Sequence, residues 1–415
     1  MKNILVVEDS ALVMKVLKHI IGTCPLFNPS YATSFAEAKV LVESQAEPFF
    51  AALVDLNLPD APDGEVVDYT RSLNIPTVVL TGSYENQKRE MLLSKGIVDY
   101  VTKEGRYSYE YALSVLVRLV KNQNKKILVV DDSDTGRRLV CNLLKLHLFE
   151  VLEANDGIQA IKVLLENPGI KLLITDYNMP RMNGCELIKN IRVKYEKSDL
   201  VIIGLSSESD GSLSAHFIKS GANDFLRKPF NQEEFYCRIS HNMEFMELIE
   251  TIRDAANRDE LTGAYNRKYF LSRADDVVKE VNMLGSRASI AAIEVESFAE
   301  VVDSYGADVA DQLVIAVVQK FASLLGRFLF ARVSEHRFCV LMQGLDNDKA
   351  IAFIERVRQV LGSTSIEAEG QVFAVGFSAG VSSLCENGAE ELVSEATTCL
   401  KRAIEAGGNL VLGDD

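Results

Sequence analysis

The chain has 415 residues, nearly three times a usual domain of about 150, so one compact domain is excluded and three modules are expected. Apolar residues make up 47% and charged residues 25%, which rules out a disordered or fibrous chain. A net charge of −15 repels phosphate backbones and anionic lipid, so neither nucleic acid nor a membrane is expected as a direct partner. Met1-Lys2-Asn3 leads into a run of only four apolar residues, Ile4 to Val7, before Glu8 and Asp9, too short for a signal-peptide core. No later run approaches the roughly 18 residues of a span, and a cytoplasmic protein is expected. Seven cysteines without a C-x-x-C pair read as reduced thiols used in packing.

From the amino terminus, Lys2-Asn3-Ile4-Leu5-Val6-Val7 ends in Glu8-Asp9-Ser10, the pattern of a buried parallel strand. A helical stretch, Ala11 to Ile21, follows. Leu53-Val54-Asp55-Leu56-Asn57, Val79-Leu80-Thr81-Gly82 and Asp99-Tyr100-Val101-Thr102-Lys103 are further strand ends. The series then repeats. Lys126 to Ser133 again closes an apolar run on two acids and a serine, Asp131-Asp132-Ser133. Thr135 to Leu146 is helical, Asp176 returns in Ile174-Thr175-Asp176-Tyr177-Asn178, Ser206 in Gly204-Leu205-Ser206, and Lys228 in Asp224-Phe225-Leu226-Arg227-Lys228. Strands alternating with helices make each repeat a doubly wound α/β unit with a parallel sheet.

In such a sheet the binding crevice lies beyond the carboxyl ends of the strands, where these polar residues fall. An acid pair beside a third carboxylate repels itself unless a divalent cation compensates it. Mg²⁺ suits this set, as a hard ion that takes carboxylates, water and phosphate oxygens. The lysine supplies a point charge for a transferred phosphoryl group, and the Thr or Ser hydroxyl a hydrogen bond made only when that group is present. The chemistry indicated is phosphorylation of an aspartate.

These residues resemble the receiver domains of two-component response regulators, over 1–121 and again over 125–245. The resemblance implies flavodoxin-like folds with Asp55 and Asp176 as phosphoacceptors. It implies Mg²⁺ held by Glu8, Asp9, Asp55 and Asn57 in one copy and by Asp131, Asp132, Asp176 and Asn178 in the other. Lys103 and Lys228 become the phosphate-pairing lysines, Thr81 and Ser206 the switch hydroxyls, and Tyr100 and Phe225 either switching aromatics or ordinary core. Lys228 precedes Pro229, the family's usual cis-prolyl step, whereas Lys103 precedes Glu104. A histidine kinase or histidine phosphotransfer protein is the implied phosphodonor.

From Gln232 to Arg258, Phe235, Ile239, Met243, Met246, Ile249 and Ile252 recur at steps of three and four, predicting one long helix. Its later part, Phe245 to Ala256, which overlaps a helical linker at 246–258, either pairs with a second copy as a parallel coiled coil or lies on its own domain.

The last segment, 259–415, opens with Asp259-Glu260-Leu261-Thr262-Gly263-Ala264-Tyr265-Asn266-Arg267. This resembles the first motif of GGDEF diguanylate cyclases and implies a mixed α/β module with a largely antiparallel sheet like that of nucleotidyl cyclases. Members of that family join two GTP molecules into cyclic di-GMP using metal-bound carboxylates. Here the metal aspartate corresponds to Glu294, and the signature to Ser334-Glu335-His336-Arg337-Phe338. Glu296 and Asp311 keep their acids, while Arg337 stands in place of a metal-facing glutamate. A unit charge fixed about 4 Å from a divalent ion is worth on the order of 8 kcal/mol at an effective dielectric of 20, repulsive for arginine. The expectation is therefore a degenerate GGDEF domain, a pseudo-diguanylate cyclase that is no enzyme, has GTP as an unfavoured ligand and acts by protein contact. Arg337 is expected to pair with Glu294 or Glu296, and His336 to be a turn residue. A weak diguanylate cyclase and a GTP or cyclic di-GMP sensor are the alternatives, and a homodimer is a further expectation.

Overall fold

Apolar runs flanked by polar turn residues become strands buried on both faces, because a parallel sheet covered by helices leaves neither face to water. In the computed structural model, which describes residues 1–82, 86–207, 212–383 and 388–414, these strands build the first of two compact units, Met1–Ile249. The second unit is Glu250–Asp415.

The first unit contains two successive sheet modules. One comprises β1 (Lys2–Val7), α1 (Ala11–Gly22), β2 (Phe27–Ala32), α2 (Phe35–Ser44), β3 (Ala51–Asp55), α3 (Glu65–Ser72), β4 (Thr77–Thr81), α4 (Asn86–Ser94), β5 (Asp99–Thr102) and α5 (Arg106–Asn122). The other comprises β6 (Lys126–Val130), α6 (Asp134–Leu146), β7 (Glu150–Ala154), α7 (Gly157–Glu166), β8 (Ile170–Asp176), α8 (Gly184–Arg192), β9 (Val201–Ser206), α9 (Ser212–Ser220), β10 (Asp224–Arg227) and α10 (Gln232–Asn257), whose last turns belong to the second unit. Strand orders β2-β1-β3-β4-β5 and β7-β6-β8-β9-β10 are the same order in each copy, and every pairing is parallel. Each sheet carries an apolar cluster on both faces. Each fully buried Val, Leu or Ile side chain contributes about 1.5–3 kcal/mol. The serines that close the first apolar run, Ser10 and Ser133, cap the next helix by accepting from Val13 N and Gly136 N, which fixes where strand gives way to helix.

The two sheet modules pack on one another. Gln232 Nε2 donates to Ile97 O at 3.3 Å and Asn122 Nδ2 to His147 O at 3.0 Å. His147 is buried, its Nε2 lies 3.1 Å from Val98 O, and its ring packs tilted against that of Tyr236, centroids 3.5 Å apart. The predicted long helix is present as α10. Phe235, Tyr236, Ile239, Met243 and Met246 pack into the second module, whereas Phe245, Leu248 and Ile252 are exposed.

The second unit comprises β11 (Tyr265–Asn266), α11 (Arg267–Leu284), β12 (Ala288–Val295), α12 (Phe298–Tyr305), α13 (Ala307–Leu324), β13 (Leu329–Arg332), β14 (Arg337–Gln343), α14 (Asn347–Gly362), β15 (Ser365–Ala368), β16 (Gln371–Ala374), β17 (Phe377–Ser383), α15 (Ala389–Glu405) and β18 (Val411–Gly413). Its main sheet runs β11-β13-β14-β12-β17-β18, antiparallel through the middle and parallel at both edges. Apolar clusters again cover both faces.

Among the described residues no helix is long and apolar enough to cross a membrane. Six cysteines are free thiols; Cys385 lies outside the described residues.

Candidate functional site

In both sheet modules the strand order places the carboxyl ends of the first and third strands side by side. In the first module Glu8, just past β1, is fully buried and Asp55, ending β3, is nearly so. Lys103, just past β5, reaches both, with Nζ 2.7 Å from Asp55 Oδ2 and 2.7 Å from Glu8 Oε2. Burial raises the Glu8 carboxyl above its usual range against the opposing hydrogen bond from Lys103. Burial also works against the Lys103 ammonium, but Asp55 and Glu8 together hold its pKa above the ordinary value.

The second module repeats this arrangement. Asp131 and Asp176 are buried, and Lys228 Nζ lies 2.8 Å from Asp131 Oδ2 and 2.6 Å from Asp176 Oδ1. Burial raises the Asp176 carboxyl, with Lys228 opposing, and Lys228 is raised by its two acids against its own burial. Ser133 N donates to Asp131 and Asn178 N to Asp176. In the first module Asn57 N donates to Asp55. Gly184 is required where α8 begins, since a Cβ there would lie 2.3 Å from the carbonyl oxygen of Asp176.

Thr81 and Ser206 end the fourth strands of their sheets and are buried at the same corner. Phe225 packs 5.3 Å from Phe217, itself 5.8 Å from Tyr177, and Tyr100 is half-buried against the first module's apolar cluster. Asp9, Asp132, Asn57 and Asn178 are exposed at the mouths of the crevices. Glu8, Asp9 and Asp55 offer carboxylate oxygens within 4.8 Å of one another. An all-oxygen set with a buried, proton-hungry member fits a hard divalent cation such as Mg²⁺. The Lys228–Pro229 peptide is cis.

In the second unit, Asp259 accepts from Thr262 N at 3.0 Å, Thr262 Oγ1 at 2.6 Å and Arg332 Nη1 at 2.9 Å. Burial opposes these bonds, yet they hold the Asp259 carboxyl below the usual range. The first GGDEF motif thus ties the start of this unit to the strand preceding the hairpin. Glu294 and Arg337 are register partners on β12 and β14, and Arg337 Nε donates to Glu294 Oε2. His336 Nε2 lies 3.7 Å from Glu294 Oε1, and its ring stacks on Phe298 at 5.1 Å. Glu296 pairs elsewhere, accepting from Ser378 Oγ at 2.6 Å and from Asn409 N. Asp311 is half-buried on α13. Ser334 and Glu335 are exposed, and neither has positive φ, so this hairpin turns without the conformation that a glycine pair supplies.

Comparison with known proteins agrees with this architecture. Residues 127–240 match the response regulator receiver domain, and residues 256–410 match the diguanylate cyclase GGDEF domain. A chemotaxis protein CheY homolog of Campylobacter jejuni is 42% identical over 109 residues, 26% of this chain and 84% of that protein. Response regulator PleD of Caulobacter vibrioides is 24% identical over 300 residues, 69% of this chain and 65% of PleD. A solved putative two-component system response regulator/GGDEF domain protein is 39% identical with a TM-score of 0.55, covering 60% of this chain and 100% of its own. Fold and matched segments define a receiver joined to a GGDEF module. The chain belongs to the response regulator family.

These matches correct one expectation from the sequence. The third module is placed in the diguanylate cyclase family, so a non-enzyme reading does not stand, nor does the expectation that GTP, the family's substrate, is an unfavoured ligand. The physical reason lies in Arg337. The repulsion argued from sequence assumed a guanidinium held beside the metal position, but the Arg337 side chain is 43% exposed. A guanidinium that solvent reaches is screened, which weakens the repulsion argued from its charge.

Sequence reading assigned no holding role to the residues that keep these groups in place. Ser378 and Asn409 orient Glu296, and Thr262 with Arg332 orients Asp259. Half-buried Asp99 accepts from Tyr111 Oη at 2.8 Å. The cap serines carried a recognisable signal, a hydroxyl immediately before a helical run, and Thr262 stood within the first motif of the last segment.

Proposed function

We propose that the chain is a phosphorylation-controlled response regulator with tandem receivers, over 1–121 and 125–245, and a GGDEF output over 259–415. One observation carries the reading: the same buried acid, strand-end aspartate and bridging lysine occur at the same corner of two sheets of identical strand order. Asp55 and Asp176 each attack the phosphorus of a phosphohistidine on a kinase or phosphotransfer protein; the P–N bond breaks as the P–O bond forms. Lys103 and Lys228, already bonded to the acceptors, pair with the incoming phosphoryl oxygens. The hydroxyls of Thr81 and Ser206 donate to them. Mg²⁺, when bound by Glu8, Asp9 and Asp55 or by Asp131, Asp132 and Asp176, neutralises charge on the transferred group.

The output is read as the family's reaction on GTP, served by the carboxylates of Glu294, Glu296 and Asp311. The Arg337 bond to Glu294 competes with that use and slows it. A homodimer belongs to the same reading, since Phe245, Leu248 and Ile252 form an exposed apolar row at steps of three and four. Acetyl phosphate with Mg²⁺, followed by intact mass, tests the receivers. Wild type should gain two phosphoryl groups, Asp55→Asn and Asp176→Asn one each, and the double variant none. A single addition to wild type would overturn the tandem reading.

A further inference from the structure

The helix that leads out of the first unit is gripped by both sheet modules. At its start, α10 begins four residues after Lys228, which bonds Asp176. Farther along, three cations supplied by the first module and its exit segment converge on one carboxylate of α10. Arg118 Nη1 lies 2.7 Å from Glu247 Oε1 while its Nη2 lies 2.9 Å from Glu244 Oε1. Lys121 Nζ is 3.3 Å from Glu247 Oε2, and Lys125 Nζ also bonds Glu247. Both central side chains are largely shielded, Arg118 at 11% and Glu247 at 22% exposure. Burial opposes ionisation of Glu247, but Lys125 and Arg118 overcome it and hold the carboxyl below its usual range.

These contacts differ from a screened surface ion pair. A forked guanidinium takes two carboxylates one turn apart on the same helix, so it fixes rotation as well as position. Arg118 sits on α5, whose buried face, Tyr109, Ala112, Leu116 and Leu119, packs against its own sheet. That helix begins three residues after Lys103, which bonds Asp55.

We infer that the first module controls the output helix directly, through the clamp of Arg118, Lys121 and Lys125 on Glu244 and Glu247, so that α10 receives one input from each acceptor aspartate. The phosphorylation half of this inference rests on the receiver reading of Asp55; the clamp does not. Phosphorylation at Asp55 draws Lys103 toward the phosphoryl oxygens, shifts the β5–α5 turn with it, and loosens the grip of α5 on α10. A switch of this kind acts only if the clamp differs between the two states.

Hydrogen–deuterium exchange on the full chain tests both halves. Arg118→Met and Glu247→Gln, which keep side-chain size, should each speed exchange across 240–257 by roughly five- to tenfold. The double variant should be no faster than the faster single variant, the mark of one shared interaction. Unchanged or fully additive rates would overturn the clamp. In the Asp176→Asn chain, only the first module can load from acetyl phosphate and Mg²⁺. Loading seen by mass with faster exchange across 240–257 supports the coupling, and loading without it overturns the coupling. No loading in that chain would overturn the acceptor reading of Asp55, while the variant cycle still decides the clamp.

Discussion

At the scale of single residues, the chemistry sits in carboxylates whose partners decide their use. Glu294 is held by Arg337 across two strands, so the arginine competes with whatever cation the carboxylate serves. Arg337→Ala should raise cyclic di-GMP formation from GTP and Mg²⁺ or Mn²⁺ roughly tenfold, a barrier change of about 1.4 kcal/mol. Glu294→Ala should abolish it, and chromatography of the nucleotide products reads both. Lys103 has the opposite role, since it compensates a fully buried Glu8. Lys103→Met should destabilise the first unit by about 3 kcal/mol in urea titration, because a buried charge loses its partner. The residues that build these sites were legible because each ends an apolar run, and a parallel sheet gathers strand ends at one edge. The partner of Arg337 was legible to within two candidates, Glu294 and Glu296, and the strand register chose the first. That Ser378 and Asn409 hold Glu296 was not legible, as no local pattern tells which distant strand supplies a side chain's partner.

At the scale of elements, strands buried on both faces and the long helix α10 declared themselves by composition and by period. The close approaches between elements did not. On β17, a Cβ on Gly380 would fall 2.1 Å from the Ala396 carbonyl oxygen and 2.1 Å from Leu400 N of α15, contacts with backbone that no rotamer relieves. Gly380→Ala should therefore push α15 off the sheet and destabilise the second unit by about 3 kcal/mol, within the range of overpacked cores. Gly362, at the end of α14, meets nothing within 4 Å. Gly362→Ala should leave the melting curve unchanged or raise it slightly. Thermal denaturation followed by circular dichroism separates the two. A glycine reads the same in sequence whether it is idle, as Gly362 is at a helix end, or pressed against a helix backbone, as Gly380 is in its strand. Only the packing of β17 against α15 distinguishes them.

At the scale of the whole chain, the least legible feature is the junction of the two sheet modules, because it joins residues that carry no motif. His147 ends α6, an unremarkable position in sequence, yet it is buried between Val98 O and the ring of Tyr236. Burial is the main cause that takes its pKa down to about 3, against the hydrogen bond to Val98 that favours the charged form. The unfolded imidazole titrates near 6.5. Above that value both states are neutral and the junction keeps its full stability. As pH falls from 6.5 toward 3, the unfolded chain binds a proton that the folded chain refuses, so stability is lost across that window. Between pH 7 and pH 5 the loss amounts to about 2 kcal/mol. Wild type should therefore melt at a lower temperature at pH 5 than at pH 7. A His147→Gln chain, which keeps a polar group toward Val98 O but cannot titrate, should show a smaller difference. An equal pH dependence in the two proteins would remove His147 as its source. The same ring packs against Tyr236 of α10, so acid should also speed amide exchange in the first turns of that helix, ahead of global unfolding.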